Sequence, residues 1–119
     1  MPRSTARGGR LRSLKVSDGF KAFVLDQLEE LGDVTPKSMF GGVGFYCDGV
    51  FFAIAAHDRL YFKVDDSSQS YYMAARMKPF RPFPGRRGSM RYYEVPLGVL
   101  ESPDELVAWA QRAVEAARK

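Results

Sequence analysis

The hydrophobic positions in the first third of the chain follow the spacing of a helix that buries one face. Apolar side chains recur every three or four residues from Phe20 to Leu31. Ser17 or Asp18 can cap the start of such a helix, and Gly32 stands where helices commonly end in a left-handed residue. The pattern therefore predicts a first amphipathic helix between these start and stop signals.

The next part of the chain consists of apolar and aromatic runs separated by turn residues. Asp48-Gly49 has such a run on each side, which is typical of a short hairpin with a type I′ turn. The following run, VFFAIAA, does not alternate, which predicts a central strand that is covered along most of its length. After a second turn, RLYFKV alternates and places Tyr61 and Lys63 on the face opposite its apolar residues. Two successive hairpins predict a three-stranded antiparallel meander.

The second half of the chain changes between helix and strand signals. The acidic pair that begins at Asp65 favours a helix start, and this helix is expected to run to about Arg76. The prolines in segment 79–84 exclude a helix and allow at most an edge strand, whereas MRYYEVP is rich in strand-forming residues. Ser102 and the three residues after it match a capping box, and the closing helix buries a stripe that includes Trp109.

The predicted elements define the fold class. Three amphipathic helices and five strands bury their apolar faces when they stack as two layers. We therefore predict an α+β fold, a two-layer α/β sandwich in the order helix, three strands, helix, two strands, helix, with a mainly antiparallel five-stranded sheet. At 119 residues the chain has room for one such domain. We assign this domain to residues 16–119, and we expect residues 1–15, rich in Gly, Arg and Ser, to form a disordered basic tail.

The charge of the chain is distributed unevenly. Its net charge is +4, but residues 1–15 alone carry five basic side chains and no acidic one. The other 13 basic residues stand against 14 acidic ones, so the rest of the chain has a net charge of −1. Segment 76–91 is an exception, with six basic side chains and no acidic one. The basic character is therefore concentrated in the tail and in this segment.

The composition excludes several classes of protein. No apolar run approaches the ~20 residues of a membrane-spanning helix, and the N-terminus lacks the apolar core of a signal peptide. We therefore expect a cytoplasmic protein without membrane contact. The single cysteine, Cys47, rules out an internal disulfide. Nothing in the spacing brings Cys47, the single histidine His57 and carboxylates together as a zinc site requires, so no metal or other cofactor is expected.

The glycines in MFGGVG have two interpretations. A phosphate-binding loop would need glycines that lead into a helix N-terminus, where backbone amides and the helix dipole hold the anion. Gly41, Gly42 and Gly44 instead lead into a strand and a hairpin turn. We favour a structural role, in which Gly41 and Gly42 allow a bulge or a close backbone approach at the start of a strand.

An enzymatic function would rest on Cys47 and His57. The charge of neighbouring Asp48 raises the pKa of a thiol rather than lowering it, which favours a structural cysteine over a nucleophile. His57 stands beside Asp58 in a tight turn, where a solvated side chain is favoured over a catalytic base. We therefore expect no enzymatic activity.

The segment PFRPFPGRRGSMRYY interleaves basic and aromatic residues. Its arginines can hold phosphates while neighbouring rings stack on bases, and the basic tail can add attraction to nucleic acid that is independent of sequence. The alternative, which we favour, is a solvated proline-rich loop whose aromatic residues anchor it to the core. Weak nucleic-acid binding is therefore the second functional hypothesis. Its candidate contacts are Arg81, Arg86, Arg87 and Arg91.

Several of these motifs resemble one protein family. The run SMFGGVGFYCDGVFFAIAAHDRLYFKVDD, together with YYEVP and a final capped helix that carries a Trp-Ala pair, resembles the N-terminal domain of the TfoX/Sxy competence regulators. The resemblance extends from about Val16 to Ala117. Its most specific parts are Met39-Phe40-Gly41-Gly42, Asp48-Gly49, Asp58-Arg59-Leu60-Tyr61-Phe62-Lys63 and Tyr93-Glu94-Val95-Pro96.

The resemblance implies a two-layer α/β fold similar to secretion-chaperone-like domains, and a role in regulating competence gene expression in bacteria. Members of the family are not known as enzymes, so the resemblance implies no catalytic or cofactor residues. We therefore expect a non-enzymatic regulatory domain that binds a protein partner, a second copy of the chain being one such partner. The expected docking surface is the helical layer or the sheet face that carries Tyr61 and Lys63.

Overall fold

The computed structural model describes residues 13–81 and 91–119, and within them helices and strands follow one another much as the sequence predicts. In chain order the elements are α1 (Asp18–Gln27), a 3₁₀ turn (Glu29–Leu31), β1 (Val34–Met39), β2 (Gly42–Cys47), β3 (Val50–Ala56), β4 (Arg59–Lys63), α2 (Asp66–Ala74), β5 (Tyr92–Glu94), α3 (Leu97–Leu100) and α4 (Pro103–Arg118).

The five strands form one open sheet in chain order, β1-β2-β3-β4-β5, and each neighbouring pair is antiparallel. The α+β fold class and the antiparallel five-stranded sheet are therefore confirmed. The run VFFAIAA forms β3, the middle strand, whose last five residues are buried. A strand in that position has neighbours on both sides and cover on both faces, which is why its hydrophobic pattern does not alternate.

Tight turns connect the first four strands. Asp48 and Gly49 have φ angles of 52° and 80°, as the predicted type I′ turn requires. The turn from β3 to β4 has the same property, with φ of 53° at His57 and 57° at Asp58. These turns keep consecutive strands adjacent, so the first four strands pair as local hairpins.

The order of elements differs from the prediction in three places, and one of them is α3, a four-residue helix in addition to the three that were predicted. The segment VTPKSM forms β1, which the hydrophobic pattern does not indicate because it is mostly polar and contains Pro36. An edge strand tolerates proline, since only one side of it must form ladder hydrogen bonds. Of the proline-rich segment, the structure describes residues 79–81, which contribute one isolated bridge, Pro79 to Tyr93, in place of the allowed edge strand. In the described chain, four strands therefore precede α2 and one follows it.

The helices lie on one face of the sheet. The buried stripe of α4 includes Leu106, Ala110 and Ala113, and it packs across β3 and β4. The Ser102 hydroxyl accepts a hydrogen bond from the Glu105 amide at 3.4 Å, which confirms the predicted cap. Among the described helices, none has the length and hydrophobicity needed to span a bilayer.

The opposite face of the sheet is covered by chain segments without helical structure. Leu14 is 4% exposed and packs with Ile54 and Phe80 in a second cluster. Its amide donates to the Phe40 carbonyl at 2.8 Å, and its carbonyl accepts from the His57 amide at 3.3 Å. The prediction of a disordered tail is therefore wrong for residues 13–15, because the apolar Leu14 side chain has a place in the core. The rest of that prediction, residues 1–12, lies outside the described residues.

The Gly41-Gly42 pair allows this segment to approach. Gly41 has a φ of 86°, and a Cβ atom on Gly42 would lie 2.7 Å from the Ala55 carbonyl oxygen and 3.0 Å from the Leu14 Cβ. Both the positive φ and the close contact exclude larger side chains. The structural interpretation of the two glycines is confirmed.

Candidate functional site

The sheet face away from the helices carries a row of packed aromatic rings. Ring centroids lie 5.0 Å apart for Tyr46 and Phe51, 5.6 Å for Phe51 and Tyr92, and 4.8 Å for Tyr61 and Phe80. None of these five residues lies in a helix. We call this surface the aromatic face.

Tyr61 and Lys63, the residues predicted for docking, both lie on β4 at the aromatic face. Tyr61 is half-buried against Phe80, and its burial, with a smaller contribution from the Glu94 charge, raises its pKa. The Lys63 ammonium lies 5.5 Å from the centroid of the Tyr92 ring. Burial raises the pKa of Tyr92 to about 12. Both predicted residues therefore already make contacts within the domain.

The structure brings two of the four predicted arginines to one end of β4 and β5. Arg91 precedes β5 and pairs with Asp66 at 3.0 Å, and its guanidinium also donates to the Gln69 side chain at 2.8 Å. Arg81 is exposed and follows Phe80, whose amide donates to the Tyr92 carbonyl at 2.8 Å. Lys63 pairs with Tyr92 across the sheet, so backbone pairing brings Lys63, Arg81 and Arg91 to the same end of β4 and β5, and we call these three residues the basic cluster. The other two predicted contacts, Arg86 and Arg87, lie outside the described residues.

Phe40 is a candidate that the sequence analysis did not identify. It occupies the β1–β2 turn with a φ of 49°, and its side chain is 72% exposed. A left-handed conformation is uncommon for any residue other than glycine, asparagine or aspartate, and for a bulky residue it signals strain. The sequence MFGG could have indicated a hairpin turn at Phe40. That interpretation requires a strand before the turn, and the polar pattern of VTPKSM does not predict β1.

The segment that precedes α1 fixes the Phe40 turn in place. The Leu14 amide donates to the Phe40 carbonyl at 2.8 Å, and the Val16 amide donates to the Gly41 carbonyl at 3.2 Å. Gly41 has a φ of 86°, and a Cβ atom on it would lie 3.3 Å from the Lys15 backbone nitrogen, so the position beside Phe40 favours glycine. The surrounding backbone therefore holds the strained conformation and leaves the Phe40 ring in solvent.

Asp58 ties the neighbouring turn to α1. Its two carboxylate oxygens accept hydrogen bonds from the Ser17 amide at 2.8 Å and from the Ser17 hydroxyl at 3.0 Å. The same hydroxyl accepts from the Phe20 amide and caps the helix. His57 is exposed in this turn, as predicted. Asp58 therefore has a structural task, which is to hold the β3–β4 turn against the start of α1.

Cys47 is buried, which agrees with its interpretation as a structural cysteine. Its pKa is raised, first by burial and then by the charge of Asp48, so the thiolate form is disfavoured. Within the described residues, no three histidine, cysteine or acidic side chains come together as metal ligands.

A cleft separates α2 from the second half of α4. The Trp109 ring lies 4.8 Å from Tyr72 in an edge-on arrangement and 6.5 Å from Tyr71. The Arg112 guanidinium lies 4.7 Å from the centroid of the Tyr71 ring. This cleft, like Phe40, is a feature that only the three-dimensional arrangement reveals.

The fold and these surfaces define a small two-layer α+β domain with helices on one face of its sheet. A comparison with protein-family models matches residues 26–117 to the TfoX N-terminal domain. The match covers most of the chain, and the chain therefore belongs to this family, as its motifs indicated. A comparison with curated proteins found no match.

Proposed function

We propose that this chain is a non-enzymatic, cytoplasmic regulatory domain that acts by binding another protein, with Phe40 as an anchor of the contact. The regulated process that membership of the TfoX N-terminal domain family suggests is competence gene expression. The observation that carries the proposal is the combination of positive φ and high exposure at Phe40.

Phe40 is unfavourable for the isolated domain in two respects. A left-handed conformation costs a residue with a Cβ atom roughly 1–2 kcal/mol, whereas asparagine and glycine adopt it readily in type I′ turns. The ring also gains little burial, because Phe40 is 72% exposed. Strain of this kind concentrates at functional sites. An exposed aromatic residue on a rigid turn supports a role as an anchor that fills an apolar pocket of a protein partner.

The proposal is tested by comparing capture of partners with and without the ring. Immobilised wild-type chain, Phe40→Asn and Leu97→Gln are incubated with native lysate, and bound proteins are quantified by mass spectrometry. Leu97 is the matched control, since it is also a large apolar residue, 65% exposed, but lies on α3. We expect at least one protein to be retained by the wild type and by Leu97→Gln and lost by Phe40→Asn. Equal capture by all three chains would contradict the proposal.

Nucleic-acid binding is the second candidate, and the basic cluster of Lys63, Arg81 and Arg91 favours it. Sequence-tolerant binding of single strands combines basic side chains with rings on which bases stack. The rings of the aromatic face pack mainly against one another, and Tyr92 and Phe80 are buried, so few ring faces are open to a base. We therefore rank this candidate second. Nuclease treatment of the captured material distinguishes the two.

A further inference from the structure

The cleft between α2 and α4 contains two adjoining cavities. The inner one has a volume of about 80 Å³, the outer one about 160 Å³, and both are lined by Ser68, Tyr71 and Arg112. Pockets for drug-sized molecules measure roughly 300–1,000 Å³. The cleft therefore has room only for a small ligand.

The inner cavity has aromatic walls. Tyr71, which is half exposed, lines it together with Tyr72 and Trp109, whose rings meet edge to face at 4.8 Å. Aromatic pairs favour offset and edge-to-face contacts, so a flat ring fits against such walls better than a branched chain does. The geometry favours a ligand with a flat apolar body.

Two polar groups of the cleft, in addition to the Lys63 ammonium that also lines the inner cavity, are left without strong protein partners. Arg112 lies over the Tyr71 ring, and no carboxylate of the described chain lies within 4.0 Å of its guanidinium. By contrast, the Lys119 ammonium at the outer cavity pairs with Asp65 at 2.7 Å. Tyr72 is 3% exposed, and its hydroxyl has no hydrogen-bond partner among residues 13–81 and 91–119. Buried tyrosine hydroxyls ordinarily have one.

Arg112 and Tyr72 both line the inner cavity. Burial raises the pKa of Tyr72, and the Arg112 charge acts on it in the opposite direction. A neutral hydroxyl beside a guanidinium supplies donors that match a carboxylate. Asp65 and Glu115 also line the outer cavity, and they repel a doubly charged anion, such as a phosphate monoester, more strongly than a monocarboxylate.

We propose that the cleft between α2 and α4 binds a small aromatic monocarboxylate, with the carboxylate on Arg112 and the Tyr72 hydroxyl and the ring against Tyr71 and Trp109. Such a site would give the domain a ligand-responsive surface in its helical layer. The site does not depend on the Phe40 contact, because it rests on different elements.

The test is titration of the full chain with benzoate, at constant ionic strength, followed by the fluorescence of Trp109, the only tryptophan of the chain. Benzamide, which has the same ring and no charge, is the control ligand. We expect saturable binding of benzoate and at least tenfold weaker binding of benzamide, since a charge-assisted hydrogen bond is lost. No saturable change with benzoate, or equal binding of both ligands, would overturn the proposal.

Three variants locate the site. We expect Arg112→Gln to weaken benzoate binding about tenfold and Tyr72→Phe to weaken it severalfold, because each removes one donor. Arg118→Gln, which removes a charge from the same helix outside the cleft, is expected to bind benzoate like the wild type. Circular dichroism checks that each variant is folded, and amide chemical shifts of α2 and α4 provide a second readout for a variant that is less stable. Equal weakening by Arg112→Gln and Arg118→Gln would show general charge attraction and overturn the assigned site.

Discussion

At Phe40 the left-handed backbone conformation is unfavourable for a phenylalanine. Two substitutions separate the effect of this conformation on stability from the effect of the ring. Asparagine adopts the left-handed conformation more readily than phenylalanine, so we expect Phe40→Asn to raise the free energy of unfolding by about 1 kcal/mol. Phe40→Ala keeps the strain and removes the ring, so it should bring no such gain. Urea denaturation of both variants measures the difference. A loss of stability in both would show that the ring packs against the domain.

At Gly42 the space around the backbone determines which residue can be accommodated. A Cβ atom there would lie 2.7 Å from the Ala55 carbonyl oxygen, which is backbone and cannot move aside. We expect Gly42→Val to lower the free energy of unfolding by ~1–3 kcal/mol, the usual cost of overpacking. Gly98→Ala is the control, since no described atom beyond its chain neighbours and its own helix backbone lies within 4 Å of its Cβ position. Thermal unfolding compares the two, and an unchanged melting temperature for Gly42→Val would refute this account.

Sequence reasoning predicted the conformation or burial of a residue correctly where these depend only on a few neighbours along the chain. The turn at Asp48-Gly49, the roles of Gly41 and Gly42 and the burial of Cys47 are of this kind. Phe40 is not, because its positive φ follows from the pairing of β1 with β2. The Arg112 and Tyr72 arrangement was also beyond sequence reasoning, since it depends on how α2 and α4 pack.

At the scale of elements, the contribution of each helix cap to the free energy of unfolding can be measured separately. The Ser102 hydroxyl accepts from the Glu105 amide at 3.4 Å at the start of α4. We expect Ser102→Ala to cost about 0.5–1 kcal/mol, towards the lower end for a cap because the hydrogen bond is long. Ser102→Asp retains an acceptor and should cost less. Chemical denaturation gives both values, and equal costs would mean that the cap contributes nothing.

Asp65 caps α2 and also binds the last residue of the chain. Its carboxylate accepts from the Ser68 amide at 2.9 Å and from Lys119 at 2.7 Å. The hydrogen bond from Lys119, followed by the one from the Ser68 amide, lowers the pKa of Asp65 well below its usual range. The stabilisation is therefore complete above the unfolded-state pKa of about 3.9 and is lost as the pH falls towards the folded-state value.

The comparison of Asp65→Asn with the wild type tests this dependence. Asparagine retains the capping oxygen and loses the charge, so the wild type should be the more stable of the two at neutral pH. The difference should shrink as the pH falls below about 4. Urea denaturation at several pH values measures it. A difference that is constant over that range would show that the charge of Asp65 plays no part.

The elements that sequence reasoning misplaced share a physical cause. β1 and the segment around Pro79 lie at the two edges of the sheet, where each strand meets one neighbour. Edge strands tolerate proline and polar residues, so their hydrophobic pattern is weak. β3, in the centre, is apolar throughout and was predicted correctly. The hydrophobic pattern therefore predicts central strands better than it predicts edge strands.

For the whole molecule, the location of charge decides whether nucleic acid is a partner. Leu14 belongs to the core, so a truncation that tests the tail should remove residues 1–12 only. This deletion removes four arginines and brings the net charge from +4 to zero. The basic cluster of Lys63, Arg81 and Arg91 stays in place, but Arg91 is already paired with Asp66. We expect the truncated chain to bind duplex DNA weakly at most.

Titration of the full and truncated chains against unrelated duplexes at two salt concentrations tests this expectation. Every phosphate that the truncated chain no longer neutralises should reduce the slope of log affinity against log salt by about 0.9. Binding should be indifferent to sequence, because the basic cluster lies at strand ends and presents no helix to the base edges. Arg81→Glu in the truncated chain should then abolish the residual binding, with Lys21→Glu on α1 as the control. Tight, sequence-dependent binding by the truncated chain would instead make the basic cluster the functional site and displace Phe40 from that role.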